Sequence, residues 1–209
     1  MRHVNLLFNF WHSIALFAAL GFFLGVVLSF LRPLEYSSTT RLLILQQIGA
    51  VDAYTASRAA ERVADDLANI IYTTTFFDKV VSSSSEIDET YFGDEESKRR
   101  KRWGRTVDAT VTRGTGLLEL RVYHTDIEQA ELIARSVSSV LVTEGWTYTS
   151  GGSISIQLVD EPLNSRWPVR PNVPTNAFTG LFLGGLAGVA YVYLKADRIR
   201  RRHQLIHEE

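Results

Sequence analysis

The stretch VDATVTRGTGLLELRV at residues 107–122 decides the fold of the polar centre of this chain. Apolar and polar residues alternate from Val107 to Thr112 and again from Leu118 to Val122. A period of two predicts strands with one face in a core and the other in water. The turn Arg113-Gly114-Thr115-Gly116 joins the two arms, which is typical of a β-hairpin.

A helix and a strand are predicted after the hairpin. Thr125-Asp126-Ile127-Glu128 has the form of a capping box, in which Thr125 accepts from the Glu128 N–H and the Glu128 carboxylate reaches back. An apolar stripe continues from this box to Gly145. Alternation in 154–158 then predicts a last strand.

The residues before the hairpin predict one strand and three helices. A Thr-, Leu- and Ile-rich strand covers Tyr36 to Leu45, and an amphipathic helix runs from about Asp52 to Tyr72. A short helix around 76–81 precedes an acidic, turn-like segment at 86–96. A charged helix follows from about Asp94 to Trp103.

The order of these elements predicts an α+β domain of the ferredoxin-like, or split βαβ, class. Its helices cover one face of an antiparallel sheet. This arrangement places the first and last strands near each other, so that both chain ends leave the domain on the same side.

Two apolar runs flank the domain, IALFAALGFFLGVVLSFL at 14–31 and AFTGLFLGGLAGVAYVYL at 177–194. A helix needs about 17–25 such residues to cross a bilayer, so both runs are predicted to be transmembrane helices. The alternative for the first run is a cleaved signal peptide. The retained anchor is favoured because the apolar stretch is long and no A-x-A-like site follows it.

Basic residues near the runs predict the orientation. Arg2 precedes the first run, and a cluster of five follows the second: Lys195, Arg198, Arg200, Arg201 and Arg202. Since Lys and Arg favour the cytoplasmic side, residues 1–13 and the basic tail 195–209 are expected in the cytoplasm. Arg32 lies on the opposite side of the first run, but it is one charge against the five of the tail. The domain, 32–161, and a proline-rich segment, 162–176, are expected outside a multi-pass cell (inner or plasma) membrane protein.

The composition argues against several functions. The chain has no cysteine, which excludes disulfides and thiolate chemistry, and its net charge of −1 does not favour nucleic acid binding. His124 is the only histidine in the predicted domain, and no nucleophile, base and orienting acid can be assembled. We expect no enzyme activity, no catalytic residues, no cofactor and no metal. His203 and His207 have metal-ligand spacing, but their basic tail fits lipid headgroups better.

Small residues recur every four positions in both runs: Gly21, Gly25 and Ser29, and Gly180, Gly184 and Gly188. This spacing lets another helix backbone approach closely. The predicted role is transmembrane packing, either between protomers or between the two spans of one protomer. The alternative is that Gly is simply common in membrane helices.

The proline-rich segment has two interpretations. Its marked residues are Pro162, Trp167, Pro168, Pro171 and Pro174. Prolines favour an extended chain, so the segment is either a stiff spacer above the bilayer or a contact surface for a membrane partner. Trp167 fits the aromatic belt of a membrane interface.

A basic run occupies Lys98, Arg99, Arg100, Lys101 and Arg102. It could bind an anionic glycan or a lipid phosphate. However, Glu95 and Glu96 lie four residues before Arg99 and Arg100, which favours helix-surface ion pairs. A solvated face, or a salt-bridged subunit contact with the acidic segment 86–96, is the preferred interpretation.

Together these features resemble the Wzz family of polysaccharide co-polymerases, the chain-length determinants of bacterial surface polysaccharides. The most specific similarity is the proline-rich segment before the Gly-rich run, Asp160-Glu161-Pro162 and then Trp167-Pro168-Val169-Arg170-Pro171-Asn172-Val173-Pro174. A second is the helix motif Asp126-Ile127-Glu128-Gln129-Ala130, which continues to Ile133-Ala134. A third is the strand from Tyr36 to Leu45 after the first apolar run. The insertion between Thr73 and Arg105 is short, and only a short tail without a G-x-x-x-x-G-K-[ST] loop follows Leu194. The chain is therefore most similar to compact, adaptor-like members without a kinase domain.

The resemblance implies a non-enzymatic scaffold that assembles as a ring-like homo-oligomer. It would act on a polysaccharide polymerase or exporter in lipopolysaccharide, capsule or exopolysaccharide synthesis and regulate chain length. The alternative it implies is a membrane adaptor that activates a separate cytoplasmic tyrosine kinase through the tail from Lys195 to Glu209. A sensor or adhesion domain unrelated to glycans is the third hypothesis, since a fold alone permits many functions.

Overall fold

The computed structural model describes residues 10–47, 52–149 and 153–206. The ends of the two predicted cytoplasmic segments, residues 1–9 and 207–209, lie outside the described residues. The chain divides into two compact units, residues 35–169 and residues 1–34 with 170–209.

The described residues of the unit 35–169 form an antiparallel sheet of four strands. These are β1 (Tyr36–Gln47), β2 (Val107–Val111), β3 (Leu117–His124) and β4 (Ser153–Asn164). Their order across the sheet is β2-β3-β1-β4. The predicted hairpin is present, with Val107 opposite Val122 and Val111 opposite Leu118. Gly114 in its turn has φ +74°, a left-handed conformation that glycine adopts without a Cβ penalty.

Six α-helices lie within the described residues: α1 (Trp11–Phe30), α2 (Ala53–Ile70), α3 (Thr74–Ser83), α4 (Glu96–Thr106), α5 (Ile127–Glu144) and α6 (Val173–Ile206). Short 3₁₀ turns cover Glu89–Tyr91 and Gly145–Tyr148. α2 to α5 belong to the sheet unit, which is therefore an α+β domain. α1 and α6 belong to the other unit.

The core of the sheet unit lies between β1, β3 and the helices α2 and α5. Leu118, Leu120 and Val122, which alternate along β3, are fully buried, and Leu42 of β1 lies opposite Leu118. Leu67 of α2 joins the same cluster. The period-two pattern of the sequence thus marks the buried face of the hairpin correctly.

The helices α3 and α4 enclose an aromatic extension of this core. Trp103 packs edge-to-face on Phe77 and Phe92, with ring centroids 5.1 and 5.7 Å away. Its indole N–H donates to the carbonyl of Ile71 at 2.7 Å, so the buried donor is satisfied. Trp103 therefore anchors the charged helix α4 in the aromatic part of the core.

The cap of α5 differs from the predicted capping box. The N-cap is Asp126, whose carboxylate accepts from the N–H of Glu128 at 2.9 Å. The prediction of Thr125 as the N-cap was therefore wrong by one residue. The reason is that the Asp126 N–H donates to His124 Nδ1 at 3.0 Å. Asp126 therefore still lies outside the helix, and Ile127 is the first helical residue.

The other unit contains the two apolar helices. Both α1 and the first 26 residues of α6, Val173–Arg198, are long and apolar enough to span a membrane, and most of their surface is exposed. Both helices extend beyond the predicted runs, α1 at its start and α6 at both ends.

Candidate functional site

The small residues of the two apolar helices form a glycine seam, defined as Gly21, Gly25, Gly180, Gly184 and Gly188. A Cβ on Gly21 would overlap the carbonyl of Gly180, and a Cβ on Gly184 would overlap that of Phe17. A Cβ on Gly188 would lie 2.9 Å from the Cα of Ile14. The two backbones are thus in direct contact, which only glycine permits at these positions.

The seam joins two helices of the same chain. Residue numbers rise along α1 as they fall along α6, because Phe17 lies opposite Gly184 and Gly25 lies opposite Asn176. The helices therefore run antiparallel, as in a helical hairpin. In this structure the seam packs α1 against α6 of one chain, which is one of the two arrangements that the sequence left open.

A polar link closes one end of the seam. The Asn176 side-chain amide donates to Ser29 Oγ at 2.8 Å, and Ser29 Oγ donates to the carbonyl of Gly25 at 3.0 Å. Ser29 is only 1% exposed. The sequence prediction included Ser29 as a small residue but missed Asn176. A side-chain amide at the start of an apolar run is a signal of hydrogen bonding between membrane helices.

The predicted proline-rich segment is divided between the two units. Trp167 and Pro168 belong to the sheet unit, whereas Pro171 and Pro174 belong to the unit of the apolar helices. Pro174 lies in the first turn of α6, where a missing N–H costs little.

Pro162 lies within β4, four residues beyond the predicted strand segment. β4 pairs with β1 only, and its register slips twice near Pro162, between Thr39 and Arg41 and between Arg41 and Leu42. Such bulges and a proline are both tolerated at a sheet edge. Thr40, which is fully buried, donates its hydroxyl to the carbonyl of Asp160 at 2.7 Å.

The chain after β4 remains bound to the start of β1. The Ser165 N–H donates to the carbonyl of Ser37 at 2.7 Å, and the Val169 N–H donates to the carbonyl of Glu35 at 2.8 Å. The first and last residues of the sheet unit, Glu35 and Val169, are therefore neighbours. The Trp167 side chain between them is 74% exposed.

The basic run lies on α4, and most of its charges have partners. Lys98 pairs with Glu95 at 2.9 Å, Arg100 with Glu96 at 3.1 Å, and Arg99 lies 3.9 Å from Asp78.

The remaining two residues of the run, Arg102 and Lys101, differ in their contacts. The Arg102 guanidinium donates to the Tyr91 carbonyl and lies over its ring, 4.8 Å from the centroid, whereas Lys101 is exposed. Of the two predicted spacings, the pair of Glu96 with Arg100 is present. Glu95 contacts Lys98 instead of Arg99.

A buried histidine at the end of β3 was not selected from the sequence as a site. His124 is 4% exposed, and its ring lies 4.0 Å from that of Tyr91. Burial lowers the pKa of His124, and the hydrogen bond to the Asp126 backbone and the charges of Asp126, Asp88 and Glu35 oppose that effect only in part. Burial likewise raises the pKa of Tyr91. The neutral imidazole is the form that accepts the Asp126 N–H.

A groove of about 260 Å³ lies between α5 and the bulged part of β4. Its α5 side includes Arg135, Ser139 and Val142, and its β4 side includes Leu158 and Glu161. The sequence did not predict this groove, because its shape depends on the register slips of β4 and no local sequence pattern predicts those slips.

No group of three or more metal-ligating side chains occurs in 10–47, 52–149 and 153–206. The side chains of His203 and His207 lie outside the described ones. No protein-family model matches the chain, and no curated protein matches it in sequence.

Proposed function

We propose that this chain is a non-enzymatic membrane scaffold that regulates the chain length, or the assembly and export, of a surface polysaccharide. The function rests on the resemblance to polysaccharide co-polymerases. The structural observation that favours it is the adjacency of Glu35 and Val169, because a domain tethered at both ends to one membrane needs its entry and exit side by side.

The paired helices α1 and α6 support a two-span membrane anchor. Both are apolar, both are long enough to cross a bilayer, and the glycine seam lets them do so as a unit of one chain. Lys195 and Arg198 follow the apolar part of α6, which favours cytoplasmic termini and an extracytoplasmic sheet unit.

The sheet supports a ferredoxin-like assignment for the extracytoplasmic unit. Its strand order read from the other edge is β4-β1-β3-β2, and each neighbouring pair is antiparallel. Two βαβ units that are interleaved through a central pair of strands produce this order. The helices α3 and α4 are then an insertion between α2 and β2.

In this function the protein catalyses no reaction and acts by holding other components in place. Protomers assemble side by side, ring-like, around or beside a polysaccharide polymerase or exporter. Since the glycine seam is occupied within each chain, the contacts between protomers come from other surfaces of the helices and from the sheet unit.

The test is the length distribution of the surface polysaccharide on a gel, with the gene deleted and then restored. Deletion should change a defined modal length to a broad or short distribution, and restoration should reverse it. An unchanged distribution and an unchanged amount would contradict the proposal.

A second candidate function is a membrane adaptor for a separate cytoplasmic tyrosine kinase. The observation that favours it is the length of α6, which continues as a helix through Ile206, well beyond the apolar part. Such an extension offers a docking element. Truncation after Asp197 should then lower the amount of polysaccharide and the tyrosine phosphorylation of the kinase without altering the modal length.

A further inference from the structure

The groove between α5 and β4 combines an apolar floor with polar walls. Val142 and Leu158 are 41% and 44% exposed although both are large and apolar, and Pro162 lies beside them. Ser139 and Thr143 supply hydroxyls on the α5 side, whereas Glu161 faces them from β4. Concave sites for small ligands have this composition, with mostly apolar area and a few placed polar groups.

The charges around the groove do not favour an anion. Arg135 and Glu161 are the charged residues that line it, and Glu131 beside Arg135 adds a second carboxylate, so an anionic ligand is disfavoured. The Arg135 guanidinium also pairs with Glu131 at 3.0 Å, and Glu131 accepts from the Asn164 amide at 2.6 Å. The Arg135 end of the groove therefore adjoins a cluster of paired donors and acceptors, and such groups bind neighbouring hydroxyls through their remaining hydrogen-bonding capacity.

The edge of β4 beside the groove is a poor place for a peptide strand. An added strand needs a regular row of backbone N–H and C=O groups. Here the register of β4 slips twice between Leu158 and Leu163, and Pro162 has no N–H to donate. The bulges that open the groove thus also disfavour β-augmentation.

An exposed tryptophan follows the groove residues of α5, in the 3₁₀ turn Gly145–Tyr148. Trp146 is 62% exposed, and its indole N–H donates to the carbonyl of Thr143, a residue of the groove, at 3.0 Å. Because this donor is used, the exposed part of the indole ring offers a ligand apolar π surface. C–H groups stack on such a face, and the C–H side of a sugar ring is a ligand of that kind.

We infer that the α5–β4 groove binds a short segment of a neutral glycan through Trp146, the apolar floor and the polar end at Arg135. Its volume is just below the range of about 300–1,000 Å³ for small-molecule sites, so most of a polymer stays in solvent. The inference rests on the proposed function for the source of the glycan, which is the surface polysaccharide whose length the protein regulates.

The test uses the full-length chain in detergent micelles. The probe is a set of short oligosaccharides released by partial hydrolysis from the surface polysaccharide of the source cells, and saturation-transfer NMR measures their binding. Ser139→Trp fills the groove and should abolish the signal. Trp146→Ala should weaken binding roughly tenfold, the size expected for one aromatic contact.

Two matched variants control for the substitutions themselves. Ser82→Trp places the same side chain on an exposed helical serine of α3, and Trp167→Ala removes another exposed tryptophan. Both should bind as the unmodified chain does. If Ser139→Trp does not fold, the comparison of Trp146→Ala with Trp167→Ala decides.

Three results would overturn the inference. These are no saturation transfer to the unmodified chain, equal binding by the groove variants and their controls, and binding that disappears in high salt, which would indicate an ionic contact. The outcome is separable from that of the proposed function. If deletion alters polysaccharide length but the chain binds no glycan, the proposed function stands and the groove site is wrong. If the chain binds glycan but deletion has no phenotype, the groove site stands and the proposed function is wrong.

Discussion

At the scale of single residues, a methyl group is enough to separate α1 from α6. The Cβ of any residue at position 184 would overlap the Phe17 carbonyl, whereas a Cβ at position 185 meets only the Ala18 methyl, 4.0 Å away. Gly184→Leu should therefore destabilise the helix pair by about 1–3 kcal/mol. Gly185→Leu, its neighbour in sequence, should change little.

Because the chain has no cysteine of its own, an introduced cysteine pair can measure this effect by disulfide formation. Cysteines at Ser29 and Asn176, whose side chains are hydrogen-bonded, should form a disulfide within one chain. Gly184→Leu should slow that oxidation and Gly185→Leu should not. Cross-linking that occurs only between chains would contradict a seam within one protomer.

A second residue-scale prediction concerns pH. Burial lowers the pKa of His124 below its ordinary value of about 6.5, so the unfolded chain binds this proton more readily than the folded one. The neutral form is the stable one. The free energy of unfolding should then be constant well above pH 6.5 and should decrease as the pH falls below it.

His124→Asn is the matched variant for this prediction. The Asn side-chain oxygen can accept the Asp126 N–H as Nδ1 does, but it does not titrate in this range. Denaturant unfolding of both proteins in micelles at pH 7.5 and 5.5 measures the difference. A loss of stability that is equal in both would show that other groups cause it.

At the same scale, the sequence predicted the residues whose role depends on size and missed those whose role depends on a partner. Glycine spacing alone marked both sides of the seam. The partner of Ser29 lies 147 residues away in sequence, so the position of the Asn176 amide beside an apolar run marks it as a polar group but does not pair it with Ser29. His124 was noted only as an argument against catalysis, because its burial is a property of the packed domain.

At the scale of elements, the charged helix α4 is attached to the domain mainly through its buried tryptophan. Trp103 is 1% exposed and combines two aromatic contacts with a buried hydrogen bond. Trp103→Ala should lower the free energy of unfolding by about 3–5 kcal/mol.

Lys101→Ala is the control on the same helix, and it should change stability by less than about 0.5 kcal/mol because Lys101 is exposed. Denaturant titrations of the two variants provide the comparison. A small effect of Trp103→Ala would mean that the ion pairs of α4, and not its tryptophan, attach this helix.

The elements themselves were largely predictable, and their ends were less so. β2, β3 and α2 follow from periodicity, because it reports which face is buried. The prediction ended β4 at Leu158, but the strand continues to Asn164 through a proline. Prolines argue against strands in general, and only the edge position of β4, a property of the whole sheet, makes Pro162 acceptable.

At the scale of the whole molecule, the proposed topology can be measured with single cysteines. Ser82→Cys, on an exposed site of the sheet unit, should react with a membrane-impermeant maleimide in intact cells. Ala196→Cys, in the extension of α6, should react only after the membrane is permeabilised. Labelling of both in intact cells, or of neither, would contradict the topology.

The hydrogen bond between Val169 and Glu35 has a consequence for how this protein can change over evolution. A segment whose entry and exit are adjacent can be enlarged, reduced or exchanged while the rest of the polypeptide keeps its path, and insertions succeed at such points. Here that segment is the whole sheet unit, and the two-helix unit holds its own contacts through the glycine seam. The same two-helix unit can therefore carry sheet units of different sizes, and each can acquire its own specificity without a change in the helices.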